Sequence, residues 1–287
     1  ENSLKFLNSV GINYPEIHYS NAISSNTSDT SREYGASSEK MAAVYAAFAN
    51  GGTYYAPQYV NKIVFSDGTV KEFPQTGTRV MSEETAYLMT DMMKSVMEVG
   101  YGLNASVAGV PMAGKTGTSN YTDTEMESII AAIPEAAYNT MVVPDENFVG
   151  YSSQYAMAVW TGYTNRMTPI LDNDMRIASD VYHNMMTFMH SDYTATDWKV
   201  PSGVVNFGGN YYLRDSSSLK NAYINYYNSL SQSSSSSSTS SSSSSSTPAS
   251  GTHDNGTQTE TSTSDGTSTS DTSSNQQNNG NTENTNQ

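Results

Sequence analysis

The chain has 287 residues, with 28 acidic against 13 basic side chains and a formal charge of −15. That balance excludes nucleic acid and an anionic membrane surface as partners, since each needs clustered Lys and Arg to displace counterions. Cysteine is absent, which excludes disulfides, thiolate metal sites and thiol nucleophiles, and the four histidines (His18, His183, His190, His253) lack His-x-x-x-His spacing and read as scattered surface residues. No metal or other cofactor is implied, and no run of 18 or more apolar residues is present.

In chain order, Leu4, Leu7 and Val10 recur at helical spacing with Gly11 as a stop, which reads as the second half of an amphipathic helix beginning upstream. Residues 12–36 are polar and hydroxyl-rich, a loop. Ser37 then caps a helix with Glu39 in its first turn, Met41, Val44, Tyr45 and Phe48 on its apolar face and Gly51-Gly52 at its end. Residues 59–65 and 69–73 flank Asp67-Gly68 and predict a hairpin. Ser82 caps a second helix, with Leu88, Met92, Val96 and Val99 as its buried stripe, Gly100 as its end and its methionines as adaptable core filler.

A strand through Lys115 follows. Residues 121–145 are too long for a hairpin connection and read as a flap over a cleft or a partner surface. Residues 148–151 and 155–163 resume strand chemistry, with Trp160 expected in the core. A helix over 177–189 should pack back on the sheet through Val181, Met185 and Phe188. Residues 198–227 are aromatic and Gly-rich, a small β appendage, and from Ser231 onward the chain is almost wholly Ser, Thr, Asn, Gln, Gly and Asp. Such a tail has too little apolar surface to offset chain entropy and is expected to be disordered. The domain plan is therefore 1–195, 196–230 and 231–287.

The most informative stretch is Ala113-Gly114-Lys115-Thr116-Gly117-Thr118-Ser119-Asn120. Lys-Thr-Gly-Thr on a strand is the third motif of serine acyl-transfer enzymes that bind penicillin. The chemistry suits the residues. A cation at Lys115 makes a cleft electropositive, the Thr116 and Thr118 hydroxyls hold a substrate carboxylate, and Gly117 lets an acyl group lie against the strand. The Thr118 N–H is a candidate oxyanion donor. Ser24-Ser25-Asn26 fits the second motif, Ser-x-Asn, with the Ser24 hydroxyl relaying a proton and the Asn26 amide holding the acyl donor.

The first motif, Ser-x-x-Lys, is matched at Ser37 to Lys40 and at Ser217 to Lys220, but both stand in the wrong order, after Ser24 to Asn26. Ser37 also has an ordinary explanation as a helix cap. No nucleophile is assigned within the chain.

Residues 1 to about 195 resemble the C-terminal part of the transpeptidase domain of class A penicillin-binding proteins, of the streptococcal 1a type. The likeness rests on the stretches 20–26, 35–52 and 113–120, and on Gly150-Tyr151 with Val159-Trp160-Thr161-Gly162-Tyr163. It implies an α/β (α+β) fold like that of the serine β-lactamases, an antiparallel sheet with helices on both faces, with its N-terminal part missing here. It further implies a bifunctional wall-building enzyme at the extracellular face of the membrane, with anchor, glycosyltransferase domain and Ser-x-x-Lys helix ahead of residue 1. Ser24 and Asn26 would then be the Ser-x-Asn pair. Lys115 would assist the proton relay, and Thr116, Gly117 and Thr118 would bind a D-Ala-D-Ala stem peptide or a β-lactam. The chain departs from many relatives at Gly100-Tyr101-Gly102, where they carry Gly-Thr-Gly.

Two other classes fit part of the pattern. One is a secreted, non-catalytic module that binds wall peptide on a Ser-rich stalk. The other is a small serine hydrolase, a β-lactamase or carboxypeptidase, with Ser37 as nucleophile.

Overall fold

The computed structural model describes residues 2–18, 35–192 and 194–236. The candidate pair Ser24 and Asn26 lies outside them, as does the tail beyond residue 236. Helix α1 (Asn2–Ser9) ends at Gly11, whose φ of 75° only glycine adopts freely. Helix α2 (Ser38–Ala49) is capped by Ser37, whose hydroxyl accepts the Lys40 N–H at 3.3 Å. Val10, Ile12, Val44, Ala47 and Tyr54 bury one another around it.

Two short antiparallel pairs follow, β1 (Thr53–Tyr54) with β4 (Thr78–Arg79) and, between them, β2 (Lys62–Val64) with β3 (Val70–Glu72). The β2–β3 hairpin is where the Asp67-Gly68 turn requires it, but every strand residue is exposed. Just ahead of β2, the Tyr59 hydroxyl ties this segment to α2 by donating to the Glu39 carboxylate.

Helix α3 (Glu83–Val96) starts at the Ser82 cap and ends four residues before Gly100, which instead opens a short helix, α4 (Gly100–Ala105). The expected stripe of Leu88, Met92, Val96 and Val99 is corrected to Ala86, Thr90, Met93 and Met97. Met92 and Val99 face solvent. The face turns this way because Thr90 can bury its hydroxyl, donating to Ala86 O and bonding the Tyr151 hydroxyl, each at 2.8 Å.

Strand β5 (Ala113–Thr118) pairs antiparallel with β7 (Asp145–Tyr151), which pairs antiparallel with β8 (Ala156–Gly162). Between β5 and β7 the chain forms helix α5 (Asp123–Ala132), a 3-10 turn (Pro134–Tyr138) and strand β6 (Val142–Val143), which pairs with β9 (Ile170–Leu171). Residues 121–145, expected as a flap or a partner surface, are thus mostly helical. Their signal is Thr122-x-x-Glu125, a reciprocal capping box in which the Thr122 hydroxyl takes the Glu125 N–H and the Glu125 carboxylate takes the Thr122 N–H.

Strand alternation sends Ala113 and Tyr151 toward α2 and α3, where they pack with Tyr45, Phe48 and Met93. It sends Phe148 to the other face, against α6 (Ile177–Met189) and the α4 region, with Ala178, Tyr182 and Met186. Helices therefore cover both faces of the antiparallel sheet. The α6 face is again the reverse of the expected one. Val181, Met185 and Phe188 are exposed, and Ala178, Tyr182 and Met186 are buried. The sheet explains the choice. Gly114 and Gly150 are register partners, and that hollow admits the Tyr182 ring, since a Cβ on Gly150 would stand 2.7 Å from its hydroxyl.

The chain after α6 is pinned by Trp198, whose indole donates to Ala49 O at 2.8 Å and stacks edge-on against Tyr151. Strands β10 (Val204–Phe207) and β11 (Asn210–Leu213) form a hairpin. The β reading of the appendage stops there, because helix α7 (Ser217–Ser236) follows, its Leu219 N–H taken by the Ser216 hydroxyl, and it carries regular structure on to Ser236, past Ser231, where disorder was expected to begin. That helix carries Tyr223, Tyr226 and Tyr227 against and beside Phe207. His190 is corrected too. It is buried, with Nδ1 2.8 Å from Met186 O and Nε2 2.9 Å from the Ser152 hydroxyl.

Candidate functional site

Among the described residues β5 pairs only with β7, so its other side is an open sheet edge carrying the Lys-Thr-Gly-Thr backbone. An open edge offers N–H and C=O groups to an extended ligand. Alternation explains how four successive residues take different parts. Lys115 and Gly117 project to the α2 side with Val149 and Asn147, and Thr116 and Thr118 to the α6 side with Phe148 and Glu146.

The C-terminal end of β5 borders a cavity of about 500 Å³. Gly117, Thr118 and Ser119 form one wall, Ala36, Ser37, Ser38 and Met41 from the start of α2 another, and Asn147, Val149, Ala158 and Trp160 the floor. Asp145 closes one end and accepts a 2.9 Å hydrogen bond from the Ser119 hydroxyl. A Cβ on Gly117 would meet only Asn147 Cβ at 3.7 Å, so glycine here keeps a side chain out of the cleft and is not required by packing.

The structure brings Gly117 and Thr118 to the cleft, with Ser37 across from them. Lys115 is exposed, its ammonium donating to Thr116 O at 3.0 Å and lying 3.4 Å from the Thr116 hydroxyl. The cation and the first Thr hydroxyl therefore form one polar group beside the cavity. Ser37 has its hydroxyl engaged as a helix cap. Ser217 opens α7, on the appendage, and does not line the cavity. Trp160, expected in the core, is 48% exposed and forms part of the cleft floor, because its β8 position faces α2 near that helix's open N-terminal end.

Two groups behind the site escape a sequence reading. Glu146, the register partner of Thr118, is 1% exposed. Burial pushes its carboxyl up to about 7, opposed by the Ala178 N–H at 3.4 Å and reinforced by Asp180. An acid in an apolar strand gives no signal beyond breaking the alternation. Arg166 lies beyond β8 and touches the chain leaving β5 at Asn120, Tyr121 and Glu125. The capping box at Thr122 is the only local signal of that arrangement. Among the described residues no cluster of three or more His, Asp or Glu could hold a metal ion.

An antiparallel sheet covered by helices on both faces, with Lys-Thr-Gly-Thr on its open edge beside a cleft, defines a class. The Penicillin binding protein transpeptidase domain profile matches residues 3–187, and the chain belongs to that family. Penicillin-binding protein 1A of Streptococcus pneumoniae is 57% identical over 203 residues, 71% of this chain and 27% of that protein. The Streptococcus oralis 1A protein is 59% identical over 194 residues, 67% of this chain and 29% of its own length. Penicillin-binding protein 1A/1B of Bacillus subtilis is 43% identical over 128 residues, 45% of this chain and 13% of its own. The chain thus spans little more than a quarter of the length of its streptococcal relatives.

Proposed function

We propose that this chain supplies the substrate-gripping half of a peptidoglycan D,D-transpeptidase site that works through a serine acyl-enzyme and is the target of β-lactams. The observation that carries the reading is the Lys-Thr-Gly-Thr strand standing as an open sheet edge whose last residues wall a cleft. In this reading the donor peptide or β-lactam lies along β5. Its carboxylate is held by the Lys115 ammonium and the Thr116 and Thr118 hydroxyls, and its acyl carbonyl is directed to the Thr118 N–H. Gly117 leaves room for the acyl group. Ser24 carries a proton toward the leaving amine and Asn26 holds the donor amide.

The nucleophile comes from a Ser-x-x-Lys helix outside these residues, because neither match within them stands in the required order. Residues 1–195 are then part of the transpeptidase domain, 196–230 with the rest of α7 an appendage, and the chain after Ser236 a spacer at the extracellular face of the membrane. The whole protein would also carry glycosyltransferase activity and act with the cell-wall synthesis machinery.

The test is intact mass after benzylpenicillin, with peptide mapping. Full-length protein should gain one penicilloyl group on a serine outside residues 1–287, and Lys115→Ala should slow its formation by about 10²- to 10³-fold, the usual cost of deleting a charge-stabilising group. This chain alone should gain no mass. An adduct on Ser37 would overturn the assignment.

A further inference from the structure

We infer that Arg166 is a positioning residue for the cleft, holding the chain that leaves β5 so that Thr118 and Ser119 keep their place; the inference rests on the transpeptidase reading. Its contacts converge on one short segment. Nη2 donates to Asn120 O at 2.8 Å. The guanidinium carbon lies 5.2 Å from the Tyr121 ring centroid, and the Tyr121 hydroxyl donates back to Arg166 O at 2.5 Å. Nε is 3.2 Å from Glu125 Oε1, while Glu125 Oε2 takes the Thr122 N–H and hydroxyl at 2.8 and 3.1 Å. One side chain therefore fixes residues 120, 121 and, through Glu125, 122.

The chemistry requires arginine. A planar fork reaches two acceptors and lies over a ring at once, which an ammonium cannot do. The pair is shielded, with Arg166 and Glu125 side chains 23% and 24% exposed, so it stands above an ordinary surface ion pair. Hydrogen bonding from Thr122 first, and then from Arg166, holds the Glu125 carboxyl below the usual range, which keeps it an acceptor.

Position gives the cluster its consequence. Arg166 follows β8, the far strand of the sheet, and it grips the exit of β5, the near one, across the end of β7. At the start of β7, Asp145 holds the Ser119 hydroxyl at 2.9 Å. Thr118 is thus followed directly by two anchored residues, Ser119 and Asn120. A carboxylate grip must be held to within a fraction of an ångström to favour the reacting geometry.

A purely structural role would change stability and leave acylation alone, so the experiment is a double-mutant cycle in the full-length protein. Arg166→Ala, Thr118→Val and the double variant are compared by the second-order rate of benzylpenicillin acylation, with a thermal melt of each. Thr118→Val should cost about thirtyfold in the parent background but only about threefold beside Arg166→Ala, since coupled residues are non-additive. Arg166→Lys, which keeps the charge and loses the fork, should fall between parent and Arg166→Ala, and it carries the same cycle if the alanine variant fails to fold. Additive losses, or unchanged acylation in both Arg166 variants, would overturn the inference. Lys115→Ala separates the two claims: if it acylates normally the transpeptidase reading itself fails, whatever Arg166 does.

Discussion

Thr118 and Glu146 stand opposite one another in the β5–β7 register, the first exposed at the edge of the cleft and the second almost wholly buried behind it. A buried carboxyl this close to the motif strand links the sheet's stability to proton concentration. Its partners are few. The Ala178 N–H at the start of α6 reaches Glu146 Oε2, and Asp180, held by Arg176 at 2.8 Å, adds negative charge from the same helix.

The Glu146 carboxyl is raised from an ordinary 4.5 to about 7, so the folded protein holds a proton there that the unfolded chain releases. Stability from this group is therefore complete below about pH 4.5 and is lost as pH rises through about 7. The shift sets a ceiling of about 3 kcal/mol. Glu146→Gln should flatten the profile and melt higher than the parent at pH 8. Parallel melting profiles for parent and variant between pH 5 and pH 8 would show that Glu146 does not titrate in that range.

The glycines of the motif strand separate fold from chemistry. A Cβ on Gly114 would lie 3.0 Å from Phe148 Cζ and 3.1 Å from both Met97 Sδ and Val149 O, so Gly114→Ala should cost about 1–3 kcal/mol by overpacking. At Gly117 the added carbon meets only Asn147 Cβ at 3.7 Å and otherwise faces the cleft. Gly117→Ala should melt like the parent and acylate at least about tenfold more slowly, the scale of a modest misfit at a reacting centre. Loss of stability at Gly117 with normal acylation would reverse the assignment.

Local chemistry was the legible part of this molecule. The caps at Ser37 and Ser82, the Asp67-Gly68 turn and the Lys115 strand all follow from hydrogen bonds and backbone preferences within a few residues. The facing of helices was not legible. On α3 and α6 the larger apolar side chains, Met92, Val181 and Phe188, lie outside, while Thr90 and Tyr182 lie inside. Those choices depend on partners distant in sequence: the Tyr151 hydroxyl for Thr90 and the Gly114–Gly150 hollow for Tyr182. In the cleft, Gly117 and Thr118 were readable from their motif, whereas Arg166 and Asp145 act through contacts 46 and 26 residues away along the chain.

His190 and Ser152 join the turn after β7 to the end of α6. Because a carbonyl can only accept, Nδ1–H donates to Met186 O and Nε2 accepts from the Ser152 hydroxyl. That hydroxyl also accepts the Gln154 and Tyr155 N–H groups, both at 3.1 Å. Ser152→Ala would strip three partners at once and should cost roughly 2–3 kcal/mol. His190→Ala added to it should cost less than it does alone. Equal losses in both backgrounds, read from denaturant unfolding, would show that the two side chains act separately.

Tyr182 offers the opposite case, a group whose removal should help. Its ring is buried with its centroid 4.7 Å from that of Phe148, yet its hydroxyl has no hydrogen-bond partner among the described residues. Burial without a partner pushes the phenol pKa up and costs desolvation without return. Tyr182→Phe keeps the ring and deletes the unpaired oxygen, so it should be neutral or stabilise by about 1 kcal/mol. Gly150→Ala should destabilise the parent, because its Cβ would press to 2.7 Å from that oxygen and 3.0 Å from Ala113 O. The same substitution should cost less in the Tyr182→Phe background, where only the backbone contact and the ring edge remain. If Tyr182→Phe instead lowers the melting point by several degrees, the hydroxyl is bonded in solution and the hollow opposite Gly114 is a polar site.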